Sequence, residues 1–175
     1  ARAGLYRNPE TEDILKVFVE GGRLKGTASG ETFDLVPLGD GRFGVEDREQ
    51  EIAFEPASGG TPKRARVSSG RGPAKILEAI TPVTPGQAQL AAYAGSYDSD
   101  ELQVRFEIAL EADGLHLRGR NLPREALVPT VPDVFVAGEL TLKFDRDKRR
   151  RVTGFALGAG RIRTIRFVRQ VPDPS

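Results

Sequence analysis

Residues 104–117 read VRFEIALEADGLHL, and this stretch decides the fold. Val104, Phe106, Ile108 and Leu110 alternate with Arg105, Glu107, Ala109 and Glu111. A period of two buries one face of a β-strand and leaves the other to water. Asp113-Gly114 then supplies a hairpin turn. Leu115 and Leu117 resume the inward face, which places His116 and Arg118 outward, His116 as a half-exposed strand residue beside the turn. Working outward, Leu140, Leu142 and Phe144 form another alternating strand, DRDKRRR (145–151) a charged turn, and Val152–Leu157 the return strand. RIRTIRFVR (161–169) closes the series, with a register break expected near Thr164 because Ile162 and Ile165 differ in parity. The glycines of GFALGAGR (154–161) are expected to mark a hairpin, since they complete no dinucleotide-binding fingerprint.

The same pattern occurs earlier in the chain. Gly4-Leu5-Tyr6 matches Gly95-Ser96-Tyr97, Leu35-Val36-Pro37 matches Leu127-Val128-Pro129, and Phe43 matches Phe135. Ile52-Ala53-Phe54 matches Leu142-Lys143-Phe144, and Gly70-Arg71 matches Gly160-Arg161. The offset holds at about 90–92 residues, the trace left by duplication of one structural unit. In the first copy Leu15, Val17 and Val19 alternate with Lys16 and Phe18, Gly21-Gly22 turns the chain, and later strands fall around 33–37, 42–45, 52–55, 64–68 and 74–80. Between the copies, Thr84-Pro85 opens a short helix over Gln87–Tyr93, expected to sit as a plug or strut at the mouth of the second unit.

Many short antiparallel strands per copy point to closed barrels, which remove exposed edges without disulfides. The fold class expected is therefore all-β: two tandem small antiparallel lipocalin-like β-barrels joined by a short helical linker. The boundaries are 1–82 for the first barrel repeat, 83–94 for the linker and 95–175 for the second. One larger barrel, half from each repeat, is the structural rival.

The 175 residues carry a net charge of +1, so no global field attracts nucleic acid or anionic lipid. Apolar runs are too short for a membrane span, and no signal peptide is read. With no Cys, thiolate metal sites are excluded, and a single His speaks against a transition-metal site. No residue is expected to be catalytic, to bind a cofactor or to ligate a metal. Glu46, Asp47 and Glu49 read as a solvated turn. Lys148–Arg151, with Arg161, Arg163, Arg166 and Arg169, reads as a charged hairpin tip rather than a base-stacking surface. Tyr6-Arg7-Asn8 matches a Tyr-x-Asn motif of penicillin-recognising enzymes. Its place at the repeat anchor, opposite Tyr97-Asp98-Ser99, favours a tyrosine packed at the start of the first strand.

The second copy resembles a known family in its ordered anchors: LAAYAGSYDSDEL (90–102), LVP (127–129), FVAG (135–138), LKFDRD (142–147) and RVTGFAL…RIRTIRFVR (151–169). This order is similar to the C-terminal lipocalin-like barrel module of serine hydrolases in the class C β-lactamase and penicillin-binding-protein superfamily. Two such barrels in tandem resemble the two C-terminal domains of its D-aminopeptidase branch. The superfamily's Ser-x-x-Lys, Lys-Thr-Gly and His-x-Gly elements have no match here, so its catalytic residues do not carry over. The resemblance implies a non-catalytic accessory region that packs on a catalytic serine-hydrolase domain, shaping substrate access or mediating homo-oligomerisation. Ala1 lies at the edge of the first repeat, from which a piece of a longer protein is expected, with that domain upstream. Localisation stays open between a bacterial cytoplasm and export. Two other readings remain: a binding module for a small apolar ligand, and a free-standing interaction protein using an apolar stripe of Phe18, Leu15, Val17 and Val19.

Overall fold

The structure is a computed structural model, and it describes residues 2–29, 31–55, 62–159 and 162–171. The chain divides into two compact units, Ala1–Thr81 and Pro82–Ser175.

In the first unit, β1 (Gly4–Arg7), β2 (Ile14–Glu20), β3 (Arg23–Ala28), β4 (Glu31–Gly39), β5 (Arg42–Val45), β6 (Gln50–Phe54), β7 (Arg64–Ser69) and β8 (Lys75–Ile80) form one closed up-and-down barrel. β1 closes it on β8 through Leu5↔Ile80 and Tyr6↔Ala79. The second unit opens with helix α1 (Gln87–Ala91). Then β9 (Gly95–Ser99), β10 (Val104–Glu111), β11 (Gly114–Gly119), β12 (Leu122–Pro129), β13 (Val134–Ala137), β14 (Leu140–Arg146), β15 (Val152–Ala159) and β16 (Ile162–Arg169) form a second closed barrel. β16 returns to β9 through Val168↔Asp98 and Arg169↔Tyr97. The architecture is thus two tandem antiparallel eight-stranded barrels, and each repeat builds its own.

The alternation works as a burial code. Leu15 and Val17 point into the first core at 3% and 2% exposure, whereas Val19, at the strand end, is 62% exposed. Lys16 and Phe18 face outward, the ammonium lying 5.6 Å from the ring centroid. The repeat anchors take equivalent places. Leu35 and Leu127 are buried while Val36 and Val128 are exposed. Tyr6, Phe43 and Phe54 form an aromatic triad with centroid separations of 5.4 and 5.7 Å. Tyr97, Phe135 and Phe144 repeat it at 6.1 and 5.6 Å. The Gly70 and Gly160 match lies partly outside the described residues, because Gly160 and Arg161 are not among them.

Tyr6 and Tyr97 do the same job at the first strand of each barrel. Both are fully buried. The Tyr6 hydroxyl donates to the Arg2 carbonyl at 3.1 Å, and the Tyr97 hydroxyl to the Tyr93 carbonyl at 2.6 Å. Burial pushes both phenols up, Tyr97 to about 12. Asn8 Oδ1 accepts the amides of Glu10 and Thr11, organising the turn into β2. Ser99 Oγ accepts the Leu102 amide in the corresponding turn. The Tyr-x-Asn residues are therefore engaged in barrel architecture.

Two local expectations are corrected. Gly154 and Gly158 lie inside β15 rather than in a hairpin. At Gly154 a Cβ would stand 2.3 Å from the Phe167 carbonyl oxygen, so the close approach of β16 requires glycine. His116 does face outward, but it is 2% exposed rather than half-exposed. The register break in the last strand is present: pairing shifts between Leu157↔Ile165 and Ala159↔Ile162.

Candidate functional site

Each barrel interior is lined by its own buried side chains, and a cavity of about 400 Å³ borders Leu24, Leu35 and Phe43 in the first. In the second, Phe106, Phe167 and Phe155 stack at 4.7 and 4.8 Å, and Tyr97 joins Phe155 to the Tyr97–Phe144–Phe135 triad. Where the second barrel has Phe155 and Phe167, the first has Ala65 and Leu77, both buried. The functional surface of the second unit must therefore be sought at its mouth and on its outer face.

The mouth is closed by the segment that follows α1. Gln89 accepts the Gly86 amide and starts the helix, which ends at Ala91, two residues short of the expected Tyr93. Leu90 packs on the core and Tyr93 is buried edge-on against Phe135 and Phe144, with centroids at 4.9 and 4.8 Å. Arg169 pins the segment from the other side, donating to the carbonyls of Ala92 and Ala94. Helix and tyrosine thus act as the plug that the sequence suggests.

Beside the plug lies a cleft of about 550 Å³, with Val83, Pro85, Pro132 and Phe135 as apolar walls and Tyr93 and Arg146 as the polar end. The polar end is locked. Tyr93 donates its hydroxyl proton to Asp133 Oδ1 at 2.7 Å, and Arg146 Nε donates to the same oxygen at 2.7 Å. Arg146 also reaches the Tyr93 hydroxyl and the Arg150 carbonyl. Burial, reinforced by the bond to Asp133, pushes the Tyr93 phenol up. Asp133 and Arg146 were not singled out by the sequence, because they lie 40 and 53 residues from Tyr93 and meet only when the barrel closes.

The second cluster sits on the outer face at the β10–β11 hairpin. His116 is flanked by Ala109 and Ala126, small residues on the neighbouring strands. Glu111 stands beside it and holds Arg118 and Arg124. Arg124 Nη2 donates to Glu111 Oε2 at 2.5 Å, and Arg118 Nη2 bonds Glu111 Oε1. Those bonds, Arg124's first, hold the Glu111 carboxyl down at about 2. His116 Nδ1 lies 3.6 Å from Glu111 Oε2 and Nε2 3.5 Å from Asp113 Oδ2. Nδ1 is the one buried side-chain nitrogen or oxygen without a hydrogen-bond partner among the described residues.

The other sequence candidates separate. Glu46, Asp47 and Glu49 fall in the turn between β5 and β6. Asp147 organises the basic turn, accepting from the Arg149 and Arg151 amides and pairing with the Arg151 guanidinium. Arg166 lies 3.4 Å from Asp145 and Arg169 donates to backbone carbonyls, while Lys148, Arg149 and Arg150 are exposed. Arg161 and the side chain of Arg163 lie outside the described residues. No helix among the described residues is long and apolar enough to cross a membrane. The chain matches no protein-family model and no curated protein.

Proposed function

We propose that this chain is a non-catalytic accessory region of a penicillin-binding-protein-like serine hydrolase or peptidase, packing on the catalytic domain and shaping access to its cleft or its oligomerisation. The observation that carries the reading is the duplicated barrel. The triads Tyr6/Phe43/Phe54 and Tyr97/Phe135/Phe144 fill two closed barrels in tandem, in the anchor order that resembles that superfamily's C-terminal module. The aromatic packing inside the second barrel leaves it its outer surface and mouth to offer a partner. His116, the general base a serine triad would need, faces two carboxylates at 3.5–3.6 Å. The test has two arms. The reading frame upstream of Ala1 should encode a Ser-x-x-Lys in frame, followed by a Tyr-x-Asn or Tyr-x-Ser element. The purified chain should show no turnover of ester, amide or β-lactam substrates. A start codon directly before Ala1, or turnover by the chain alone, overturns the reading.

The cleft beside Tyr93 favours a second reading, a seat for a small apolar ligand against Phe135 and Pro132. Displacement of an environment-sensitive dye by fatty acids or small aromatics tests it. Binding no better than to the denatured chain removes it.

A further inference from the structure

The β10–β11 hairpin differs from its counterpart in the first barrel in one chemical respect. At the corresponding places the first barrel has Glu20 and Lys25, aligned with Glu111 and His116 by the repeat offset. Lys25 Nζ donates to Glu20 Oε2 at 2.7 Å and lies 3.8 Å from Asp34. The cation there is built into the chain. In the second barrel an imidazole takes the place of the ammonium, Ala126 stands where Asp34 was, and Asp113 brings the second carboxylate from the turn.

We propose that Glu111, Asp113 and His116 form a site for a borderline divalent transition ion such as Zn²⁺ or Co²⁺. One ligand atom from each residue lies within 4.8 Å of the other two. The nitrogen–oxygen separations of 3.5 and 3.6 Å are too long for good hydrogen bonds. The two run to different ring nitrogens, so one ion takes one nitrogen with its near carboxylate. That pair is spaced like two ligands of a tetrahedral ion, whose bonds of about 2.1 Å set ligand atoms about 3.4 Å apart, while the other carboxylate stands within 4.8 Å. His116 is 3% exposed at its side chain, and its Nδ1, turned towards Glu111, has no partner. A buried nitrogen left unbonded is costly, and coordination satisfies it. One ring nitrogen binds the ion; the other keeps its proton for the remaining carboxylate oxygen, which fixes the ring as carboxylates do beside metal-bound histidines. One imidazole with two carboxylates selects an ion softer than Ca²⁺ or Mg²⁺, which prefer all-oxygen shells.

Arg124 is the competitor. Its Nη2 lies 2.5 Å from Glu111 and 4.0 Å from Asp113, so the guanidinium spans the carboxylates that the ion would bridge. The ion must move it aside, which weakens binding and supplies a specific test.

His116 is the only histidine in the chain, so its ring resonances report without ambiguity. Zn²⁺ is titrated into the untagged chain at pH 7.5 in a non-chelating buffer and followed by imidazole NMR. The expected result is a saturable shift of the His116 ring signals at one ion per chain, well below millimolar Zn²⁺. Asp113→Asn, at a carboxylate that is 68% exposed and carries no fold, should weaken binding by about tenfold or more. Arg124→Ala should tighten it several-fold, and His116→Gln should abolish it. Ring signals unmoved by millimolar Zn²⁺, binding unaffected by Asp113→Asn, or weaker binding in Arg124→Ala would each overturn the proposal. Dispersed amide spectra for the Asp113 and Arg124 variants keep the test independent of whether His116→Gln folds.

Discussion

Tyr97→Phe removes one oxygen from the best-buried phenol of the chain, and its consequences are calculable. The Tyr97 hydroxyl donates to the Tyr93 carbonyl at 2.6 Å in a fully buried setting. Losing that bond leaves the carbonyl without its side-chain donor, a cost of about 1–2 kcal/mol at neutral pH. In a unit of this size that lowers the melting temperature by about 5–10 °C. The pH dependence gives an independent check. Burial favours the neutral phenol, so the folded-state pKa, about 12, stands above the ordinary value of 10.0. Stability from this group is fully present below pH 10, where both states are neutral. Above pH 10 the unfolded chain ionises first, and the contribution drains away until the folded phenol ionises near pH 12. A shift from 10.0 to about 12 sets the loss at roughly 3 kcal/mol. The assay is urea unfolding followed by circular dichroism from pH 8 to 12, with absorbance at 295 nm to count phenolates. The chain has three tyrosines and no tryptophan, and all three phenols are raised. At pH 10 the folded chain should therefore show less phenolate than the unfolded chain does. Tyr97→Phe should be less stable at pH 7 and should lose the steepest part of the alkaline decline. Equal stability of variant and parent at pH 7, or a folded chain in which all three phenols titrate at 10, would refute the burial argument.

Two other perturbations read separate features. Gly154→Ala should cost about 2–3 kcal/mol in urea unfolding, because its Cβ meets the Phe167 carbonyl at 2.3 Å and must push β16 away. Gly158→Ala, whose nearest neighbour is the Thr141 carbonyl at 4.0 Å, should stay within about 0.5 kcal/mol of the parent. Asp133→Ala should cost about 2 kcal/mol, since Tyr93 and Arg146 both lose their shared acceptor. It should also move the Tyr93 titration at 295 nm down towards the ordinary phenol value, as one of the two main causes of its elevation is gone.

The barrels were legible because they are written in short-range periodicity and then written twice. Ile108, Leu115 and Leu117 are buried where alternation places them, and Phe54 and Phe144 fill the same place in each copy. The offset between copies separated two barrels from one, since each copy has enough strands to close by itself. What alternation cannot register is cover from above. His116 has outward parity, yet it is buried beside Glu111, which holds Arg118 and Arg124. Charged residues that read as solvated hold one another beside a buried ring. Gly154 was misplaced for a related reason: a glycine in a strand signals either a turn or a close backbone approach, and only the partner strand decides.

The differences between the copies carry more about function than their agreement. Tyr6/Phe54 and Tyr97/Phe144 are what any barrel of this shape needs, and they say only that the chain folds twice. Arg2 and Tyr93 stand at one repeat position, each supplying the carbonyl for the buried tyrosine four residues on. Arg2 lays its guanidinium over Phe43 at 5.0 Å, whereas Tyr93 sets its ring on Phe135 at 4.9 Å and turns its hydroxyl to Asp133 and Arg146. Packing alone would be met by either residue. A tyrosine locked into an ion pair beside an apolar cleft does more than packing requires. Lys25 and His116 diverge in the same direction, from a charge satisfied within the chain to a ring nitrogen that is not. Both departures fall in the second unit, one at its mouth and one on its outer face. A duplicated fold needs one copy to hold its shape, and the copy that spends extra polar groups is where recognition is to be sought.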